Sequence, residues 1–426
     1  MSSEQRRHCE KAGEVVIPAT HTFRIALVTS IHPDFDARLW KYANVLRGLG
    51  HEVHIVCPWA VQAGEMEGVI FHPFKRVASL RARLFQVPWR LGQALLPLLP
   101  KVDVVHFHDI DILPWMTMIA LIKPVIYDVH ENYPEEMLSR QGIPRILRRG
   151  LSIAVRWMQI GCAAVIRNVV LVADSQHKDL VGPTLRKTMV MNYATVELLR
   201  DVAPDYMTRP DGVIFLGSQH ENNGSRLLVE IADRLRKRLP GMKTYAIDRF
   251  ADPVYRQKLL DEVTRRGLQD NYVLLPNVKP QSIMQYLNRC TIAVTCNLRV
   301  PQQINGVHTK LFEYMAAGLP TVASDLPHQV KTISEANNGL LAKPEDPNSF
   351  VEAICQLAAN RERARQIGVN GQRYFIERYS WESQADVIQG LYERAMRGRR
   401  AAGGNVLRLL SRIRGRSVAH PLEGAR

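Results

Sequence analysis

Strand, helix and strand follow one another from residue 24 onward, and that alternation constrains the fold more than any other feature. Residues 24–30, RIALVTS, form an apolar run of buried-strand length. A loop over 31–36 comes next. Leu39, Tyr42, Ala43, Leu46 and Leu49 then recur at helical spacing, and Gly50 marks the stop. Residues 52–57, EVHIVC, read as the next strand. A βαβ unit of this kind joins parallel strands. Further strands are predicted at 69–74, 102–108, 124–130, 170–175 and 189–193, with helices between them, notably over 145–167. Together they build one doubly wound domain over 22–195, preceded by a tail over 1–21.

Residues 196–210 are polar, lack a strong period and are expected as a linker. The pattern then restarts. Strands are predicted at 212–218, 243–248, 272–277, 291–296, 320–324 and 338–342. Helices are predicted at 225–239, 253–266, 282–288, 309–317, 348–360 and 361–378. This gives a second domain over 211–380, a last helix over 381–397 and a basic tail over 398–426. The expected fold class is α/β, with two doubly wound Rossmann-like domains facing each other across a cleft. Ligands bind such sheets outside the carboxyl ends of the strands.

Within the second domain, residues 308–325 read as loop, helix, sharp stop and buried strand. Thr309 starts the helix; Leu311, Phe312, Met315 and Ala316 form its apolar face; Gly318 and Pro320 end it. Glu313 does not fit a simple packing helix. A helix N-terminus suits phosphate, and a carboxylate one turn further in suits a vicinal diol. Phosphate beside a diol describes the ribose-diphosphate part of a nucleotide. The alternative is a solvated edge residue on a packing helix.

The net charge of +15 implies an anionic partner: a nucleotide diphosphate, a nucleic acid or an acidic membrane surface. No helix-turn-helix, zinc-finger or RNA-binding motif accompanies the charge, so nucleic acid is not expected. The six cysteines are scattered, without CxxC or zinc-ligand spacing, which suits a reducing cytoplasm. The amino-terminal residues are polar, and no apolar run reaches the length of a membrane span. Two stretches mix arginines with large apolar residues, 76–101 and 398–426. The first fits core packing or membrane contact. The second fits a basic amphipathic helix on a membrane surface or a disordered tail.

The stretch TKLFEYMAAGLPTVASDLP over 309–327 resembles the donor-binding signature of family-4 glycosyltransferases with the GT-B fold. TSIHPDFDAR (29–38), VHFHDIDILP (105–114), VIYDVHENYP (125–134), NGLLAKPEDP (338–347) and YSWE (379–382) resemble other motifs of that family, in the same order. The resemblance covers about residues 22–397. It implies a retaining transfer of sugar from a nucleotide-sugar donor to a hydroxyl of a glycan or lipid-linked acceptor, in polysaccharide or glycolipid assembly. It implies no metal and no cofactor beyond the donor itself. Glu313 would hold the ribose, and Lys310 with the amides of Thr309 and Leu311 would hold the diphosphate. The base would stack near Asn277 and Val278, beside the loop that opens at Gly217. His130 would reach the sugar from the first domain, with His108, Asp109 and Asp36 on the acceptor side and Asp34 a weaker candidate. The last helix, 381–397, would cross back onto the first domain. Net charge and the two mixed stretches would bring the protein to the inner face of the cell membrane.

Three positions depart from the family pattern. Asn305 stands where the first of two glutamates is usual, and is kept as a catalytic candidate. The loop over 217–224, GSQHENNG, lacks the usual Arg and Lys; Arg226, Arg249 and Arg299 are the candidate replacements. The glycine-rich turn expected after the strand at 243–248 is DRFA. These motivate a second reading, a catalytically altered GT-B protein that binds a glycan or a partner. A metal-dependent transferase built on Asp109 and Asp111 is a third.

Overall fold

The computed structural model describes residues 21–398, apart from 33–35, 59–62, 78–79, 130–132, 140–143, 173–179, 204 and 278–281. The described residues form two compact units: one contains residues 21–191 and 385–398, the other residues 192–384.

The first unit holds strands β1 (Arg24–Val28), β2 (Glu52–Cys57), β3 (Gly64–Met66), β4 (Val69–Pro73), β5 (Val104–Phe107), β6 (Val125–Val129), β7 (Asn168–Leu171) and β8 (Arg186–Met189). Their order is β3-β4-β2-β1-β5-β6-β7-β8. All neighbours are parallel except β3 and β4. The order reverses between β1 and β5. On one side Ala26, Val28, Phe107, Val129 and Leu171 are buried beneath helices Leu80–Leu95, Leu113–Ala120 and Arg145–Ile166. The other side carries His106 and Asp128, which meet helix Ala37–Gly48 and a helix over 385–398.

The predicted strands at 170–175 and 189–193 form earlier, at β7 and β8. Arg167 adopts φ 69° and ends the preceding helix, and the Asn168 side chain donates to the Val125 carbonyl (3.3 Å). An amide that reads as a turn signal is thus a strand residue whose Nδ2 is bonded to the neighbouring strand. β8 is polar because it is an edge.

The second unit holds β9 (Gly212–Phe215), β10 (Lys243–Ile247), β11 (Tyr272–Leu275), β12 (Ile292–Thr295), β13 (Thr321–Ser324) and β14 (Gly339–Ala342), ordered β11-β10-β9-β12-β13-β14. All neighbours are parallel. Here the order reverses between β9 and β12. Helices Ser225–Arg238 and Pro347–Ala358 cover Val213, Phe215 and Val294; Leu311 and Tyr314 cover Ile214 and Ala293 from the other side. Residues 196–210, although polar, pack against this unit. Tyr206 donates to the Thr291 carbonyl (2.6 Å) and Arg209 to the Ala317 carbonyl (3.1 Å).

Candidate functional site

The reversal between β9 and β12 opens a crevice at the carboxyl ends of those strands, and helix Lys310–Ala316 stands beside it. The helix is one residue shorter at each end than the predicted 309–317. Thr309 is already helical, at φ −59° and ψ −23°, and its side chain makes no capping bond. At the other end Gly318 is left-handed, at φ 64°. Its N–H donates to Met315 O (2.9 Å) and that of Leu319 to Tyr314 O (3.0 Å), closing the stop predicted from sequence. Leu311, Phe312, Tyr314 and Met315 are buried. The Tyr314 hydroxyl accepts from Leu216 N–H (2.8 Å) and donates to Val294 O (3.2 Å). One side chain therefore ties the helix to the ends of both strands at the reversal. Glu313 is left partly open. Lys310 Nζ lies 3.0 and 3.3 Å from its two carboxylate oxygens, with the side chains 32% and 17% exposed. The structure brings Lys310 and Glu313 together, paired with each other.

The loop after β9 is held by carboxamides. Asn223 Nδ2 donates to Ser218 O (2.8 Å), Gln303 Nε2 to Asn223 Oδ1 (2.8 Å) and Asn297 Nδ2 to Gln303 Oε1 (2.8 Å). Gln329 Nε2 donates to Asn297 Oδ1 (2.9 Å), and Thr295 Oγ1 to Gln329 Oε1 (3.1 Å). All five bonds run the same way, so the amide dipoles align from β12 toward the loop and polarise one another. Gly224, at φ 81°, closes against the Cys296 carbonyl, where a β-carbon would overlap. The candidate replacement cations are all engaged within the unit. Arg226 Nη1 is 4.0 Å from Glu221, Arg249 Nε donates to Asn277 Oδ1 (3.1 Å), and Arg299 Nη2 donates to Asp325 O (3.1 Å). Arg249 and Asn277 thus meet. Gly217 lies tight against the Phe215 ring. Asn305 ends helix Pro301–Asn305, and its side chain lies outside the described residues, as do Val278, Asp34 and His130.

In the first unit the corresponding reversal joins β1 to β5, and again polar side chains stitch it. Thr29 Oγ1 and Ser30 N–H both donate to Asp109 Oδ2 (2.6 Å each), and Ser30 Oγ donates to Asp111. His32 is clamped between Asp36 (3.0 Å) and Asp109 (3.3 Å). Its hydrogen bonds to Asp109 and then Asp36 push its pKa up to about 10. Burial would raise the Asp109 pKa, but His32, Thr29 and Ser30 outweigh it and hold the carboxyl well below its usual range. Asp36 also caps helix Ala37–Gly48, accepting from Arg38 N–H (2.9 Å) and Leu39 N–H (3.1 Å). Asp36 and Asp109 are therefore brought together through His32. His108 joins a different group. Its Nδ1 lies 3.5 Å from the buried Asp128, and its ring stacks on His106 at 5.0 Å. His106, His108 and Asp128 are close enough to share an ion. Arg38 already takes both oxygens of Asp128, at 2.9 Å (Nε) and 3.0 Å (Nη2), so the carboxylate is neutralised by a guanidinium.

Sequence reasoning missed His32, Arg38, Asp128 and the carboxamide chain. Arg38 and Asp128 left a signal: one charge on the apolar face of its helix, the other inside an apolar strand. The carboxamides left none.

Residues 37–182 match the family described as Glycosyltransferase Family 4, and residues 210–360 match Glycosyl transferases group 1. A D-inositol 3-phosphate glycosyltransferase of Acidothermus cellulolyticus is 25% identical over 207 residues, 47% of this chain and 44% of that one. The matches span less than half the length of the first three curated relatives. Sucrose-phosphate synthase from Thermosynechococcus elongatus superposes with a TM-score of 0.66 at 16% identity, over 88% of this chain and all of the other. The Anabaena protein HepE in complex with UDP superposes with a TM-score of 0.64 at 15% identity, over 87% and 99%. At such identities the likeness establishes the fold, GT-B.

Proposed function

Given that the chain belongs to the group 1, family-4 glycosyltransferases, we propose that it moves a sugar from a nucleoside-diphosphate donor to a hydroxyl of a glycan or lipid-linked acceptor. We take the anomeric configuration to be retained. The observation that carries this reading is the Lys310–Glu313 pair beside the β9–β12 crevice. A carboxylate accepts two hydrogen bonds from a ribose diol, and the ammonium released from it turns to the diphosphate. Charge grows on the diphosphate as the sugar leaves, and Lys310 with the N–H groups near Gly217, Thr309 and Leu311 stabilises it there. Asn277 and Val278 flank the base. His130 and Asn305 contact the sugar. His108, Asp109 and Asp36 shape the acceptor side, the last two through the His32 clamp. No described helix is long and apolar enough to cross a membrane. The net charge of +15 supports work at the inner, anionic membrane face, in polysaccharide or glycolipid assembly, aided by the stretches 76–101 and 398–426.

Calorimetric titration with UDP, GDP and ADP, followed by sugar-nucleotide turnover, tests this. One of the three binds, and Glu313→Ala weakens it by about 100-fold, since each hydrogen bond to a charged group contributes about 1.5–3 kcal/mol. Equal binding by the variant, or no binding by the wild type, sinks the proposal. The second reading, an altered GT-B protein that binds a glycan or partner, is favoured by Asn305 and by the amide-held loop over 217–224, which carries no Arg or Lys. Tight donor binding without any release of nucleoside diphosphate would select it.

A further inference from the structure

Three helices cover one side of the eight-stranded sheet: Leu80–Leu95, Leu113–Ala120 and Arg145–Ile166. Their inner faces supply Leu91, Met116 and Ala163 to the core. Their outer faces are apolar too, where a layer of this kind ordinarily turns polar toward water. Of twenty-one large hydrophobic side chains exposed among the described residues, ten lie on these three helices, so the apolar surface is concentrated on this layer. On Arg145–Ile166, residues Ile146, Ile153 and Trp157 are 88, 57 and 67% exposed. Spacings of seven and four put them on one line along the helix, away from the buried Gln159 and Ile166. Trp115 and Met118 continue the exposed surface on helix Leu113–Ala120, which packs against it, and Trp89 adds to it on Leu80–Leu95. A helix apolar on two opposite sides has a second environment besides its core.

The charge on this layer has one sign. The three helices carry seven arginines and no aspartate or glutamate. Protein interfaces are depleted of charge at their centres and mixed at their rims. A surface that is apolar over three helices, with only basic charge on the two long ones and none on the short one, matches instead one that is uniformly anionic with an apolar interior. We propose that this three-helix face docks on an anionic lipid bilayer. Trp89, Met118, Ile153 and Trp157 enter the boundary between headgroups and acyl chains, and Arg149 and Arg156 reach the lipid phosphates along their own aliphatic stems. The layer lies on the membrane rather than spanning it. Docking rests on and deepens the membrane-face part of the proposed function, but it requires no donor or acceptor, so its failure leaves the transfer reaction untouched.

The experiment is co-sedimentation of the full chain with phosphatidylcholine vesicles, with and without phosphatidylglycerol. Wild-type protein binds the anionic vesicles and releases them as salt rises. Ile153→Glu with Trp157→Glu weakens binding at least about tenfold, and so does Arg149→Gln with Arg156→Gln. A thermal melt of each variant verifies folding, and because the four positions are exposed it stays unchanged. Wild-type protein left in the supernatant with anionic vesicles overturns the proposal. So do variants that bind as tightly as wild type, which would assign binding to the basic tail. Self-association through Trp157 in sedimentation, without vesicle binding, would assign the face to a second copy and also overturn it.

Discussion

Arg38 lies on the buried side of its helix, and Asp128 inside its strand meets it with both oxygens. Burial would raise the Asp128 pKa; the Arg38 guanidinium and the His106 imidazole outweigh it and keep the carboxyl ionised. Breaking such a pair strands a buried charge, which costs about 3–5 kcal/mol. Arg38→Leu is therefore expected to lose about that much in denaturant unfolding, while Arg38→Leu with Asp128→Leu recovers a large part. Double-variant stability no better than Arg38→Leu would refute the pairing. His32 gives a pH test. Its pKa is raised to about 10 from 6.5, so its contribution is complete below pH 6.5 and is lost as pH climbs toward 10. For Asp36, burial pushes up but His32 outweighs it, lowering the pKa to about 2 from 3.8; that contribution is lost as pH falls from 3.8 toward 2. The melting difference between wild type and His32→Gln should be largest between pH 3.8 and 6.5 and vanish near 10. A difference that stays constant from pH 6.5 to pH 10 would rule the clamp out. Sequence pattern exposed Asp36 and Asp109 as acceptor-side candidates but did not show that His32 joins them. Their actual partner, His32, is linked to Asp109 from 77 positions away, a pairing one sequence does not carry.

At the scale of elements, the stop at Gly318, the strand after it and the odd placement of Glu313 on a packing helix were all legible. Each follows from local chemistry: backbone freedom at glycine, the missing N–H of proline, and helical spacing. The carboxamide chain was not, because Asn223 and Asn297 read as loop residues and Gln303 and Gln329 as polar helix residues, and nothing local pairs them. Gln303 is its central link. In Gln303→Glu the carboxylate still accepts from Asn297 but no longer donates to Asn223, releasing the 217–224 loop. Nucleoside-diphosphate affinity is expected to fall about tenfold, equivalent to about 1–2 kcal/mol for one hydrogen bond with its stranded partner, while nucleoside affinity is unchanged. An equal loss for diphosphate and nucleoside would show that the chain acts on the fold and not on the phosphate loop. Gly224→Ala should remove diphosphate binding more severely, since the loop has no room for a methyl beside the Cys296 carbonyl.

At the scale of the molecule, the alternation of strand and helix was enough to read two doubly wound sheets. Their bulk is local in sequence; β7 and β8 shifted, and the short edge strand β3 was not predicted. The first unit, however, is not continuous. Its chain leaves at 191 and returns at 385, and Ile388, Leu391 and Tyr392 of the returning helix are buried in it. The Tyr392 hydroxyl lies 2.6 Å from His106 Nδ1. Tyr392→Phe is expected to cost about 1–3 kcal/mol in unfolding, because it strands a buried ring nitrogen; an unchanged midpoint would refute the bond. The same topology sets a schedule for synthesis. The ribosome adds about 5–20 residues each second, so roughly 10–40 s separate the emergence of residue 191 from that of residue 385. Throughout that interval the newborn first unit carries an uncovered apolar strip, with Tyr42 and His106 beside it. A cell making this protein must shield a half-closed unit while the second one is still being translated.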